Sequence, residues 1–319
     1  MRSPFFPRIV RSGALLLAAL SGVASAGQTP DSIAAAKTYS ADGRRPIQQL
    51  YQAMDDLAKK GPWTMETVYA DQGLPIRVLR TQRKGPAVWL LAGIHGEEPA
   101  PPNAVARGID EISLLAARDI PVVVFPLCNP VGYSKGWRYP DAKERRVGHS
   151  VGDSDHFLLD EDGKPRLAQP ASDQSAALTA KVIELAQEYP PVLSVDLHED
   201  DSLPAGYIYS QGAKGCDDPA AKAALRKMGE LGYPIKLSGK TDFDEPIQDG
   251  VICNVNDGSI DELISAPKVF IAGTVRPGPS GRSVIVVETS SMKMDLPKRV
   301  RLHRAIIRML PELFRTAGK

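Results

Sequence analysis

The chain is poor in cysteine, has no surplus of either charge, and has no apolar run long enough to cross a bilayer as a stable helix. Its three cysteines, Cys128, Cys216 and Cys253, never stand in CxxC spacing, which argues against a cysteine-built metal site. Basic and acidic residues number 39 and 38, so no polyanion partner such as nucleic acid is indicated. No block of like charge reads as an interaction tail, and there is no internal repeat or low-complexity tract. The zinc motif HExxH is also missing, because His198-Glu199 is followed by Asp200, Asp201 and Ser202.

With 319 residues, the chain has ample core for one large domain or two small ones. Residues 1–26 read as a signal peptide. Arg2, Arg8 and Arg11 precede the apolar run Gly13 to Val23, and Ala24-Ser25-Ala26 has the small-x-small pattern of a cleavage site. Cleavage near Ala26 removes three arginines and no acid, taking the formal charge from +1 to −2. The mature protein is then exported, periplasmic or secreted, with no stable membrane insertion. An exported chain with three cysteines suits one disulfide and one free thiol. Cys216–Cys253 is the expected pair, because Cys128 ends an apolar strand and should be buried.

Residues 27–62 read as a polar and helical lead-in, and residues 63–319 as the catalytic domain. In the latter, short apolar runs alternate with helical segments. Val88 to Ala92, Val122 to Leu127, Val192 to Leu197, Tyr207 to Tyr209, Val269 to Ala272 and Val284 to Val287 read as strands. Residues 103–117, 172–189, 218–231 and 296–317 read as helices, with Pro311 expected to kink or shorten the last. Continuous apolar strands alternating with helices predict a three-layer α/β/α sandwich around a mixed, mostly parallel sheet. The stretch 130–171 is polar and too long for an ordinary connection, which marks it as functional.

In such sheets, sites form beyond the carboxyl ends of strands, and the chemistry-bearing residues fall there. Among five histidines (His95, His149, His156, His198 and His303), two directly follow apolar strands. His95 opens His95-Gly96-Glu97-Glu98, and His198 closes Val195-Asp196-Leu197-His198. Either histidine alone would more often be a polar turn residue. Together with Glu98 they supply two imidazoles and a carboxylate, the ligand set of a catalytic zinc with an open fourth position. Asp196 or Glu199 is placed to hold the outer nitrogen of a ligand histidine. Glu288 ends the strand Val284 to Val287 and suits a general base and acid. Arg138, nine residues after Asn129, suits an oxyanion stabiliser.

The order His-x-x-Glu, Asn-Pro, Arg-Tyr, Asp-Leu-His and strand-ending Glu resembles the carboxypeptidase A-like zinc carboxypeptidase superfamily. The resemblance is nearest to its succinylglutamate desuccinylase and aspartoacylase branch, where the Asn-Pro and Arg-Tyr elements also lie close together. It spans about residues 64–315. It implies one zinc per chain on His95, Glu98 and His198, with Arg138 stabilising the oxyanion and Glu288 moving protons. The chain departs from the pattern where the peptidases carry an Asn-Arg carboxylate clamp: it has Lys143-Glu144-Arg145-Arg146 instead. Asn129, Arg145 and Arg146 remain the candidates for substrate contact, but standard carboxypeptidase specificity is not expected.

These readings predict a zinc-dependent metallohydrolase cleaving an amide or peptide bond, with a peptide as substrate. An N-acyl amino acid deacylase is the alternative within hydrolases. An inactive periplasmic zinc- or peptide-binding protein is the alternative from another class, and a binder has no need of Glu288 as a base.

Overall fold

The protein is described here from a computed structural model covering residues 42–140, 147–292 and 294–318. Residues 1–26, Arg145 and Arg146 lie outside the described residues. In chain order the first elements are α1 (Ile47–Lys59), β1 (Trp63–Asp71), β2 (Leu74–Thr81), β3 (Ala87–Ala92), α2 (Ala100–Arg107) and α3 (Ile109–Ala117). Next come β4 (Val122–Phe125), α4 (Pro130–Lys135), α5 (Asp173–Glu188), β5 (Pro191–Asp200), β6 (Tyr207–Ser210) and α6 (Pro219–Glu230). The chain closes with β7 (Ser238–Lys240), β8 (Pro246–Gln248), β9 (Val251–Cys253), α7 (Ile260–Ser265), β10 (Lys268–Ile271), β11 (Thr274–Pro277), β12 (Ser283–Ser290) and α8 (Leu296–Ala317).

Ten strands form one sheet in the order β1-β2-β4-β3-β5-β12-β6-β9-β8-β7, with β10 and β11 as a separate hairpin. The central run β4-β3-β5-β12 is parallel throughout. Antiparallel pairs flank it, β1 with β2 and β2 with β4 on one side and β12 with β6 on the other. The central strands are apolar along their length because helices cover both faces. Leu90, Val124, Val195 and Val287 face a core completed by α1, α2, α3, α6 and α8. Trp89, Leu91, Val123 and Phe125 face a second core under α5 and α7. The expected three-layer sandwich with a mixed sheet is therefore observed.

The two-residue period of β5 decides where polar groups go. Leu193, Val195 and Leu197 enter the first core, while Ser194, Asp196 and His198 alternate with them onto the opposite face. All three are buried. Burying these polar groups is costly without partners, which marks this end of β5 as functional.

Most expected elements match their positions; two of the expected helices differ. Residues 103–117 do not form one helix. The chain enters a helix at Ala100 and breaks at Gly108, whose N–H turns back to Val105 O while Ile112 N starts the next helix on Gly108 O. The final helix is not shortened by Pro311. Leu310, Leu313 and Ala317 around and beyond that proline are buried in the first core, and this packing outweighs the lost hydrogen bond.

Cys216 and Cys253 form a disulfide, and Cys128 is free and buried, as expected. Among the described residues, no helix is long and apolar enough to cross a membrane.

Candidate metal centre

β3 delivers its chain end to the site through a turn that only glycine permits. Gly93 has φ +69°, and Gly96 is pressed so closely on α4 that a Cβ would lie 2.0 Å from Gly132 C and 2.3 Å from Tyr133 N. This packing fixes the backbone between His95 and Glu98. His95 Nδ1 lies 2.7 Å from Glu98 Oε1, and His198 Nδ1 lies 3.2 Å from Glu98 Oε2. The two imidazole rings meet edge to face with centroids 4.9 Å apart. A ligand atom from each of the three residues falls within 4.8 Å of the others.

Each histidine thus turns its Nδ1 to one oxygen of the same carboxylate. Asp196 stands at the outer nitrogen of His198, its Oδ2 in ion-pair contact 3.1 Å from Nε2. This frees Nδ1 for a metal, as a supporting carboxylate does for ligand histidines generally. Of the two acids placed to play that part, Asp196 does so. Glu199 is committed elsewhere: it accepts from Ala100 N and pairs with Arg299. Two imidazole nitrogens and a carboxylate suit zinc, and no cysteine competes for it. The residues present fit the implied metal.

Electrostatics differ around the two imidazoles. Burial, helped by Arg138, lowers the pKa of His95 to about 4. Burial also works against charge on His198, but Asp196 and Glu98 outweigh it and raise that pKa well above the usual value. Burial alone would raise Glu98, yet the two imidazoles hold it well below the ordinary carboxylate range.

Glu288 stands on β12 directly opposite His198 on β5. It is 9% exposed, and its Oε2 is buried without a hydrogen-bond partner. Burial, reinforced by Glu98 and Asp200 against the pull of His198, pushes its pKa up to about 8. A carboxyl of that kind is poised to exchange protons near neutral pH.

Arg138 reaches the same place. Its Nη1 donates to Glu97 Oε1 at 3.0 Å and to Glu98 Oε1 at 3.4 Å. The two carboxylates raise its pKa against the opposing effect of burial, so the guanidinium stays charged. Asn129 is fully buried and caps α4. Its Oδ1 accepts from Gly132 N and its Nδ2 donates to Arg138 O. The amide expected to contact substrate is therefore committed to the protein, where it holds the backbone of Arg138.

Three participants were not singled out by the sequence. Glu97 is the closest partner of Arg138; its adjacency to Glu98 was the available clue, and the ligand spacing pointed past it. Asp261, at the start of α7, brings a buried carboxyl to Asp196 and His198, where burial and then Asp196 raise its pKa well above the usual value. Arg44 donates to the carbonyls of Gly96 and Glu97 from a segment 52 residues upstream, a distance no local pattern can bridge.

The chain matches no sequence-family profile and no curated relative. Solved structures do match. A protein of Shewanella baltica assigned as a metallopeptidase superposes with a TM-score of 0.68 at 21% identity, covering 84% of this chain and 92% of that one. A metallo-carboxypeptidase of Burkholderia cenocepacia gives 0.56 at 11% identity over 86% and 70% of the two chains. Carboxypeptidase A of Helicoverpa armigera gives 0.58 at 14% identity over 90% and 78%. The chain thus has the fold of the metallo-carboxypeptidases, with His95, Glu98 and His198 gathered at the carboxyl ends of its central parallel strands.

Proposed function

We propose that this chain is an exported zinc-dependent hydrolase that cleaves an amide bond, with peptides as its first substrate class. The observation that carries this reading is the unpartnered, buried carboxyl of Glu288 opposite a convergent His95, Glu98 and His198. A site that only bound a ligand would leave that orphaned acid without a purpose. Zinc held there supplies a Lewis acid for the scissile carbonyl and lowers the pKa of the attacking water.

The chain's own residues do the rest. Glu288 Oε2 accepts a proton from the attacking water and passes it to the leaving nitrogen. Arg138 directs its remaining N–H groups at the developing oxyanion, while Glu97 holds one edge of the guanidinium. Asp196 keeps His198 in the tautomer that offers Nδ1. Export is supported by the disulfide, which suits an oxidising compartment, and by the signal-like residues 1–26.

The test is a substrate screen of zinc-loaded residues 27–319, setting C-terminal dipeptides, cell-wall stem peptides and N-acyl amino acids side by side. Hydrolysis lost to a chelator and restored by zinc is expected. Turnover that survives exhaustive chelation would remove the metal from the reaction, and turnover of N-acyl amino acids alone would move the substrate class.

A further inference from the structure

Arg44 lies before α1 and far in sequence from any group assigned above. Its side chain is nonetheless buried, 3% exposed. Nη1 donates to Gly96 O at 3.0 Å and to Tyr133 O at 2.8 Å, and Nη2 donates to Glu97 O at 3.3 Å. Asp42 neutralises the guanidinium, its Oδ2 accepting from Nε at 2.8 Å and lying 2.6 Å from Nη2. The ring of Tyr133 packs against the cation with its centroid 4.9 Å away.

Gly96 and Glu97 are the two residues between His95 and Glu98. Both of their carbonyls accept from the Arg44 guanidinium. The next residue repeats the pattern: Arg45 N donates to Asn103 Oδ1, and Arg45 O accepts from Tyr133 Oη. The segment 42–45 is therefore laced to the ligand turn and to α4, against which Gly96 is pressed.

We infer that Arg44 is a positioning residue for the metal centre, clamping the His95–Glu98 turn in its ligand geometry through the carbonyls of Gly96 and Glu97. The inference rests on the metal-centre reading above. A rigid fork that meets three carbonyls and one carboxylate at once is a task for arginine, which lysine cannot reproduce with a single ammonium. Loss of such supporting contacts weakens metal binding about 10–100-fold in other sites.

The experiment measures zinc Kd by chelator competition and hydrogen exchange of residues 95–98 in the metal-free protein. It compares the unaltered protein with Arg44→Lys, Arg44→Ala and the control Arg77→Ala. Arg77 pairs with Asp55 and packs on Tyr51 of α1, so its loss loosens the same region without touching the ligand turn. The expected result is a zinc Kd at least about tenfold weaker in both Arg44 variants. Amide exchange across 95–98 should be faster in the same variants, while Arg77→Ala keeps both values and loses only melting temperature. Wild-type Kd and exchange in Arg44→Lys would overturn the inference, as would equal losses in the Arg77 control. Should Arg44→Ala fail to fold, Arg44→Lys decides alone. A wild-type chain that binds no zinc sinks the metal centre itself, a failure distinct from binding that ignores Arg44.

Discussion

Glu288 and His198 face each other across neighbouring parallel strands, one register step joining the candidate proton carrier to a candidate metal ligand. Neither can shift along its strand without moving the other. Replacing Glu288 by Gln preserves shape but removes the transferable proton. Turnover should fall about 10²–10⁴-fold, with zinc stoichiometry by metal analysis unchanged. Retained turnover would assign the proton transfer to another group.

The pH response follows from the raised pKa of Glu288. A carboxyl whose folded-state value is about 8 binds its proton more tightly folded than unfolded. Its contribution to stability is full below about 4.3, the unfolded value, and is lost as pH rises through 8. Melting temperature of the metal-free protein should therefore fall between about pH 4.3 and about pH 8, and Glu288→Gln should flatten this part of the profile. A curve unaffected by the substitution would place the titration elsewhere. Catalysis runs the other way, because the base must be ionised to accept a proton. The acid limb of kcat/KM should disappear in Glu288→Gln.

In the proposed metal centre, Asp196 would act on zinc through His198. Asp196→Asn keeps the volume and removes the charge beside Nε2, so zinc affinity should weaken about 10–100-fold. Chelator competition measures this directly, and an unchanged Kd would reduce Asp196 to a buried spectator.

Arg138 should matter to the transition state more than to the ground state. Arg138→Ala is expected to lower kcat by about 10²–10³-fold, with a smaller change in KM. A loss confined to KM would make it a binding residue.

The disulfide closes a loop with a sequence separation of 37. Replacing both Cys216 and Cys253 by Ser should cost about 2–4 kcal/mol of stability, read by denaturant unfolding. The metal site, on other strands, should keep its zinc.

Layer architecture was legible because the central strands announce themselves: Val88 to Ala92 and Val122 to Phe125 are too apolar to be anything but doubly covered. The candidate ligand histidines stood out for a related reason, since a histidine directly after such a run has few structural duties. The β1–β2 hairpin was not, although Gln72 and Gly73 form its turn with φ of 50° and 76°. On β1 most residues are only partly buried, and on β2 the consecutive buried pair Val78-Leu79 interrupts the alternation, so the period that marks a strand is blurred. Pro311 does not shorten the last helix, because propensity is local while Leu313 and Ala317 answer to the core. The cap that Asn129 makes for α4 was not read from the sequence, since an N-cap and a substrate contact use the same amide. Glu97 and Arg44 belong to three-dimensional neighbourhoods that sequence spacing does not encode.

Among the described residues, the ten-stranded sheet is open at both ends, so it must guard against neighbours adding to it. At one margin, Glu66 on β1 is tied by Arg80 and Lys181, a charged fringe that a docking strand would have to desolvate. At the other, β7 is only three residues long, fully exposed and ends in Lys240. Neither margin offers a length of bare, apolar backbone for templated pairing. Loss of either guard, for example Glu66→Val, would turn a margin into a seam for aggregation.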